Sequence, residues 1–184
     1  VKELVALAKK QPLRAGAPGM GGVGHIAAEI FKQVTELDIP TIIYKGGAPA
    51  QMALNQGEVH LVFATPPAAM AQIKSGRVKV LATSAAQRML SMPEVPTFVE
   101  VGLPGIDVMP WQGFLAPVKT PRAIIMQLNA AIAGVLREPE MVQRLAVAGS
   151  DVLIMTPEAL AAKIRRELTY FEKVIRVARI KPAE

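Results

Sequence analysis

The sequence predicts an α/β fold built around a mostly parallel sheet, and three observations indicate this class. Helical and extended patterns alternate from residue 2 to residue 84, which is typical of right-handed crossovers between parallel strands. The extended segments are almost continuously apolar, as expected when both faces of a sheet are covered. Hydrophobic residues make up 51% of the 184 residues but aromatic residues only 4%, so the predicted core is mainly aliphatic.

The first four predicted elements are two helices and two strands. The segment "VKELVALAKKQ" places Leu4, Val5, Leu7 and Ala8 along one side of a helix, and Pro12 ends it. A short strand, "LRAGA", then leads into a glycine-rich loop. The segment "HIAAEIFKQVT" has the spacing of an amphipathic helix, and "IPTIIYKGG" is a β-branched strand closed by two glycines.

The next four elements continue the alternation. The segment "APAQMALNQG" predicts a short helix with Gly57 just after its end, and "EVHLVFA" predicts a strand. Thr65 and Pro66 have the residue types preferred at an N-cap and at the first helical position. They open a helix that Gly76 stops, and "RVKVLATS" is the fourth predicted strand.

The C-terminal part breaks this rhythm. After an irregular, proline-rich stretch, "WQGFLAPV" and "DVLIM" are predicted strands. Thr120-Pro121 caps a predicted helix that runs through about Arg137, and Pro139 starts a short helix that Gly149 ends. Thr156-Pro157 caps a long third helix. This helix carries an apolar stripe of Leu160, Ile164, Leu168, Phe171, Ile175 and Ala178. Two strands are too few for a sheet, so we divide the chain into a complete unit at 1–105 and an incomplete one at 106–184.

Composition excludes several classes of protein. The chain has no cysteine, and its net charge is +6, with basic residues concentrated in the last predicted helix. Too few aromatic residues lie among these charges for a nucleic-acid surface, so a solvated helix face is the prediction. No apolar run reaches the length of about 20 residues that a membrane helix needs. The first residues are typical of an amphipathic helix and not of a signal peptide.

The loop "GMGGVGH" is the most informative motif. It follows a predicted strand and opens a helix, where backbone N–H groups lack acceptors and glycines let a ligand approach. These features predict a site for a carboxylate or a phosphate. Pro18 within the loop, and the lack of an acidic residue ending the next strand, argue against a dinucleotide. A tight turn without a ligand remains the structural alternative.

No catalytic or metal-binding pattern stands out. His25 and His60 lie on different predicted elements, and a lone histidine near a helix start is typically a capping or packing residue. The serines lack a nucleophile-elbow context, and no histidine pair has metal-ligand spacing. We therefore predict a binding protein with no cofactor and no metal, and not an enzyme.

Several motifs together resemble one family. They are "APGMGGVGHIAAEIF", "YKGGAPAQMALNQGEVHLVF", "IKSGRVKVLATSAAQR", "PEVPTFVEVGLPG", "WQGFLAP" and "TPRAIIMQLNAAI". In this order they are similar to the periplasmic solute-binding proteins of tripartite tricarboxylate transporters, the Bug family. The similarity extends over nearly all of the chain.

The resemblance implies a type II-like periplasmic binding protein, in which two lobes close on a small organic acid such as a dicarboxylate. Residues 1–105 would be lobe two, and 106–184 the hinge return and the C-terminal part of lobe one. The N-terminal part of lobe one and a signal peptide would be missing by truncation. The implied location is the periplasm, and the implied partner is a membrane permease. The candidate ligand-binding residues are Ala17, Pro18, Gly19, Met20, Gly21, Gly22, Val23, Gly24, Tyr44, Ala64, Thr65 and Pro66.

Three positions depart from the family pattern. Ala17 replaces the loop serine, Gly22 replaces a hydroxyl residue, and Ala64 replaces an acidic residue that often follows the third strand. Each lost hydrogen bond to a charged ligand would cost about 1.5–3 kcal/mol, so we expect weak binding. Tyr44 ends a strand beside the loop and is the aromatic residue expected to approach the ligand. Trp111 is expected mainly to pack.

The unpaired C-terminal strands also predict self-association, because apolar strand edges pair readily with another chain. We expect a homodimer, one form of which would exchange C-terminal segments between protomers. The alternative function is a ligand-sensing or protein-interaction module with the same fold and no role in transport.

Overall fold

A three-stranded parallel sheet organises the N-terminal half of the computed structural model, which describes residues 1–178 and 180. The strands are β1 (Ala15–Pro18), β2 (Thr41–Tyr44) and β3 (Leu61–Val62), in the order β2-β1-β3. Ala15 is aligned with both Thr41 and Leu61, so β1 is the central strand. The predicted parallel α/β fold is confirmed.

Helices pack against this sheet, and further helices lie in the C-terminal half of the chain. Within the described residues they are α1 (Lys2–Ala8), α2 (Val23–Thr35), α3 (Gly47–Asn55), α4 (Pro66–Lys74), α5 (Arg122–Leu136), α6 (Pro139–Val147) and α7 (Pro157–Ala178). The predicted helix ends at Gly57, Gly76 and Gly149 are confirmed, since each lies two residues beyond its helix at a positive φ. Helix α5 begins at Arg122, one residue later than predicted.

The main core lies between α2, the sheet and the C-terminal end of α7. Phe31 of α2 is its centre, with ring centroids 5.5 Å from Phe63 and 6.2 Å from Phe98. Val174 of α7 is buried in the same cluster. Because α7 packs onto α2 only near its C-terminal end, the predicted apolar stripe is only partly buried, and Leu168 is 66% exposed.

The predicted strand at 77–84 is wrong. Only Thr83 in this segment takes part in strand-like pairing, as an isolated parallel bridge with Thr97. The Thr83 N–H donates to the carbonyl of Pro96, and the Thr83 carbonyl accepts from the N–H of Phe98. These bonds direct the end of the segment toward the proline-rich stretch, and the sheet ends at β3.

The strands predicted at 111–118 and 151–155 are also wrong. Both segments are non-helical and pair with no strand among the described residues. Residues 112–119 are all exposed, and the side chain of Val118 is 99% exposed. The pattern of apolar residues is that of a strand, but a strand requires a neighbour for its backbone groups, and the described residues supply none.

Trp111 attaches the first of these segments to α7. Its indole Nε1–H donates to Oε2 of Glu167 at 2.7 Å, and Lys163 pairs with the same carboxylate. Burial by itself raises the pKa of Glu167, but the hydrogen bonds from Lys163 and Trp111 outweigh burial and leave this pKa below its ordinary value. Trp111 therefore has a packing and anchoring role here.

Candidate functional site

The residues selected from the sequence converge at one edge of the sheet. The loop follows β1, Tyr44 ends β2, and the segment 64–66 follows β3 and begins α4. Because the strands are parallel, their carboxyl ends meet at this edge, and Pro18 is aligned directly with Tyr44. Open α/β sheets bind ligands at such an edge.

The glycine loop turns the chain from β1 into α2 within four residues. Gly19 and Gly21 have φ angles of 91° and 69°, which side-chain-bearing residues rarely adopt. Gly22 is the N-cap residue in an extended conformation, so α2 begins at Val23. The loop thereby gathers several backbone N–H groups at the positive end of the α2 dipole.

Two of these N–H groups already have acceptors within the protein. The Gly19 N–H donates to the carbonyl of Tyr44 at 2.9 Å, and the Gly21 N–H donates to Nδ1 of His25 at 3.0 Å. These bonds fix the loop against β2 and α2. Within the described residues, no hydrogen bond is donated by the N–H groups of Met20, Gly22, Val23, Gly24 and His25.

The opposite side of the site, at the start of α4, offers fewer donors. Pro66 and Pro67 occupy the first helical positions and have no N–H group. The Thr65 side chain makes no capping hydrogen bond, while its carbonyl accepts from the N–H groups of Ala68 and Ala69. Thr65 and Ala64 are half-buried. The donors for an anion are therefore concentrated in the glycine loop.

Gly24 sets the distance between the two sides. A Cβ at this position would lie 2.3 Å from the Phe63 carbonyl oxygen and 2.8 Å from Cδ of Pro18. The backbone of α2 therefore lies directly against the end of β3, and a glycine is required there. This close packing brings the loop and the segment 64–66 together.

Two selected residues also make contacts within the protein. The side chain of Ala17 is completely buried, so this position faces the protein interior. The Tyr44 ring packs over β1, since a Cβ on Gly16 would lie 3.4 Å from Tyr44 Cε2. The Met20 side chain, by contrast, is 49% exposed.

A polar cluster supports the loop from α2. Glu29 accepts a hydrogen bond from the Thr41 hydroxyl at 3.1 Å, forms a 2.6 Å ion pair with Lys32 and lies 3.7 Å from His25 Nε2. Burial lowers the pKa of His25 below its ordinary value of 6.5, opposed by Glu29 and reinforced by Lys32. The neutral imidazole is therefore favoured, and its Nδ1 can accept the Gly21 N–H.

We expect the free energy of unfolding to decrease below about pH 6.5, because the unfolded chain binds a proton on His25 before the folded chain does. The contribution of neutral His25 is complete above that pH and is lost as the pH falls through the lower folded pKa. Urea unfolding of wild type and His25→Ala between about pH 7.5 and 5 tests this. The variant should show a shallower pH dependence, and equal slopes would contradict the assignment.

Two buried polar side chains near the site are not among the residues selected from the sequence. Gln51 of α3 and Thr83 each have a buried oxygen without a hydrogen-bond partner among the described residues. Gln51 stands among alanines and apolar residues in an otherwise ordinary helix pattern, and Thr83 lies in the segment predicted as a strand. No local signal distinguishes either residue.

Other kinds of site find no support in the described part of the chain. It contains no cluster of three or more histidine, aspartate or glutamate side chains suited to a metal ion. None of its described helices is both long enough and apolar enough to cross a membrane.

Comparison with known proteins identifies the fold and the family. Residues 1–179 match the tripartite tricarboxylate transporter family receptor, TctC. Protein BugT of Bordetella pertussis is 31% identical over 175 residues, which cover 94% of this chain and 54% of BugT. The structure of R. palustris Rpa4515 with adipate has a TM-score of 0.84 and 30% identity, covering 100% of this chain and 62% of that one.

A further solved structure, MatC from Rhodopseudomonas palustris with bound malate, has a TM-score of 0.71 and 27% identity. The match covers 95% of this chain and 61% of MatC. The chain spans about half the length of the curated relatives it matches. Receptors of this family are periplasmic solute-binding proteins, and the family is not one of enzymes. The family model covers almost the whole sequence, and the chain therefore belongs to the receptor family of the tripartite tricarboxylate transporters.

Proposed function

We propose that this chain binds the carboxylate of a small organic acid at the glycine loop and serves a tripartite transporter as its periplasmic receptor. The observation that carries the proposal is the group of N–H donors at residues 20 and 22–25, which have no acceptor among the described residues. Such donors at a helix N-terminus favour a bound anion. The adipate and malate in two similar structures support a carboxylate.

The proposed binding set is the one selected from the sequence, with the loop backbone as its main donor. Met20, Gly22, Val23 and Gly24 would donate N–H groups, and Thr65 would face them with its hydroxyl group, which makes no capping hydrogen bond. Residues 1–105 would form one wall of the cleft, and the membrane permease would receive the ligand. Because the chain spans only part of its relatives, we expect the isolated chain to bind carboxylates weakly.

The test exploits the position of Val23, the first residue of α2. Gly22 before it is extended at ψ 167°, which suits a following proline, and proline is favoured at the first helical position. Val23→Pro therefore removes one free N–H while the helix start is kept. Val23→Ala is the matched control, because it shortens the same side chain and keeps the N–H.

We expect a small carboxylate, tested as malate, adipate and hexanoate, to shift the amide signals of Met20, Gly22 and Gly24 when it is titrated into the ¹⁵N-labelled chain. Val23→Pro should weaken this binding by about tenfold or more, as expected for a lost hydrogen bond to a charged group, while Val23→Ala should not. Thermal unfolding should show that both variants remain folded. Equal binding by the two variants, or no shift of the loop amides in wild type, would refute the proposal.

We also propose that the chain self-associates through the exposed segment 111–118, one of the two unpaired segments from which a homodimer is predicted. The side chains of Phe114, Leu115 and Val118 on this segment are 77%, 78% and 99% exposed. Exposed apolar residues on an unpaired extended segment favour pairing with another chain.

A further inference from the structure

A cavity of about 470 Å³ lies beside the glycine loop, lined by β3, the start of α4 and residues 77–84. This volume is within the range of about 300–1,000 Å³ that is typical of sites for small molecules. Most of the wall is apolar, and its larger side chains are Phe31, Phe63, Val80, Met89, Met92 and Val108. Residues 77–84, which do not continue the sheet next to β3, form part of the cavity wall.

The cavity is continuous with the proposed carboxylate site. Pro18, Val23 and Gly24 of the loop region form part of its wall, as does the segment 64–66 at the start of α4. A molecule whose carboxylate lies at the N-terminus of α2 would therefore have the apolar space directly beside it.

Two polar side chains on the cavity wall lack partners among the described residues. Gln51 and Thr83 are 6% and 8% exposed. Neither Gln51 Oε1 nor Thr83 Oγ1 has a hydrogen-bond partner among the described residues. A buried polar atom without a partner is unfavourable, and it is often satisfied by a ligand or by water. Both atoms can bond to a hydroxyl group of an occupant.

Charged side chains on the wall are confined to exposed positions. Arg77 and Lys79 line the cavity, and both are exposed. Among the described lining residues none is both buried and charged. A second carboxylate placed inside would therefore lose its hydration without gaining a buried counter-charge, which is costly.

We propose that this cavity holds the uncharged body of the ligand, so that the receptor selects a monocarboxylate with an apolar chain and a hydroxyl group over a compact di- or tricarboxylate. This inference rests on the proposed function, because it takes the glycine loop as the site of the carboxylate. The chain of the ligand packs against Phe63, Met89 and Met92, and its hydroxyl bonds to Gln51 or Thr83.

The first experiment measures the affinity of the 184-residue chain for butyrate, hexanoate, octanoate, suberate and octanol by NMR titration. We expect about fourfold tighter binding for each added methylene of the monocarboxylates, with shifts of the Met89 and Met92 methyl signals. Suberate and octanol should both bind at least tenfold more weakly than octanoate, because one buries a second charge and the other lacks the carboxylate.

Different results would refute the proposed function and the proposed preference for a monocarboxylate. If affinity does not depend on the number of methylenes in the ligand, while Val23→Pro still weakens carboxylate binding, this inference is overturned and the proposed function stands. Octanol binding as tightly as octanoate would overturn the carboxylate assignment and this inference with it. Suberate binding as tightly as octanoate would overturn the preference for one charge.

The second experiment tests the predicted hydrogen bond to the hydroxyl group of the ligand. It measures the affinity of the six hydroxyoctanoates that carry one hydroxyl group at a carbon from 3 to 8. The best isomer should bind about fivefold more tightly than octanoate, and Thr83→Val or Gln51→Met should abolish that gain. Ser91→Ala is the control, because Ser91 Oγ is also buried without a partner but does not line the cavity. A gain that survives both wall substitutions, or that Ser91→Ala also removes, would overturn the assignment, as would the absence of any gain.

Discussion

Gly24→Ala is expected to destabilise the protein by about 3 kcal/mol or more, a large part of the 5–15 kcal/mol that is typical of a domain. The added Cβ would lie 2.3 Å from the Phe63 carbonyl oxygen and 2.8 Å from Pro18 Cδ. Neither group can move alone, because Pro18 ends the central strand and Phe63 packs against Phe31 in the core. Relief would require α2 to move away from the sheet.

Gly134→Ala provides the matched control for this substitution. Gly134 lies inside α5, and a Cβ there would meet nothing within 4 Å. Since alanine is favoured over glycine in a helix, this variant should gain up to about 1 kcal/mol. Urea unfolding of both variants measures the difference. A loss below 1 kcal/mol for Gly24→Ala would show that α2 does not pack directly onto the end of β3.

Local patterns predicted those elements whose stabilising contacts are near in sequence. The helices α2, α3, α4 and α6 were predicted from apolar spacing and from the proline, threonine and glycine residues at their ends. The first three strands were predicted from their β-branched or apolar residues, and both β2 and β3 pair with β1. In each case the contacts that stabilise the helix or strand come from residues within a few dozen positions in the sequence.

Patterns failed where a strand depends on a distant neighbour. The segments 77–84, 111–118 and 151–155 have the composition of strands, but pairing decides whether an apolar segment becomes one. Thr83 pairs with Thr97 instead of with β3, and the other two segments have no neighbouring strand among the described residues. The small number of C-terminal strands indicates that they lack neighbours, but composition contains no information about the pairing of Thr83 with Thr97.

The candidate site was also predictable only where its features are local in sequence. The glycine loop was predictable, because glycine content and position before a helix are local properties. The acceptor roles of the Tyr44 carbonyl and of His25, which occupy two of the loop N–H groups, follow only from the folded geometry. The burial of Ala17 is equally non-local, and it means that a serine there would place its hydroxyl in the protein interior.

Self-association should respond strongly to the exposed segment 111–118. Burying two large apolar side chains contributes about 1.5–3 kcal/mol each, so Phe114→Lys combined with Leu115→Lys should raise the dissociation constant of a dimer by at least about a hundredfold. Lysine also blocks strand edges through charge and hydration. The net charge of +6 would rise further and add repulsion between protomers.

Light scattering after gel filtration, at tens of micromolar protein, measures this effect. Wild type should elute as a dimer and the double variant as a monomer. Leu90→Lys is the control, because Leu90 is 77% exposed, like Phe114, but lies in the proline-rich stretch outside the segment. That control should remain a dimer, since its side chain is accessible without belonging to an extended segment that can pair. A monomeric wild type would contradict the expectation, and a dimer that persists in the double variant would place the interface on another surface.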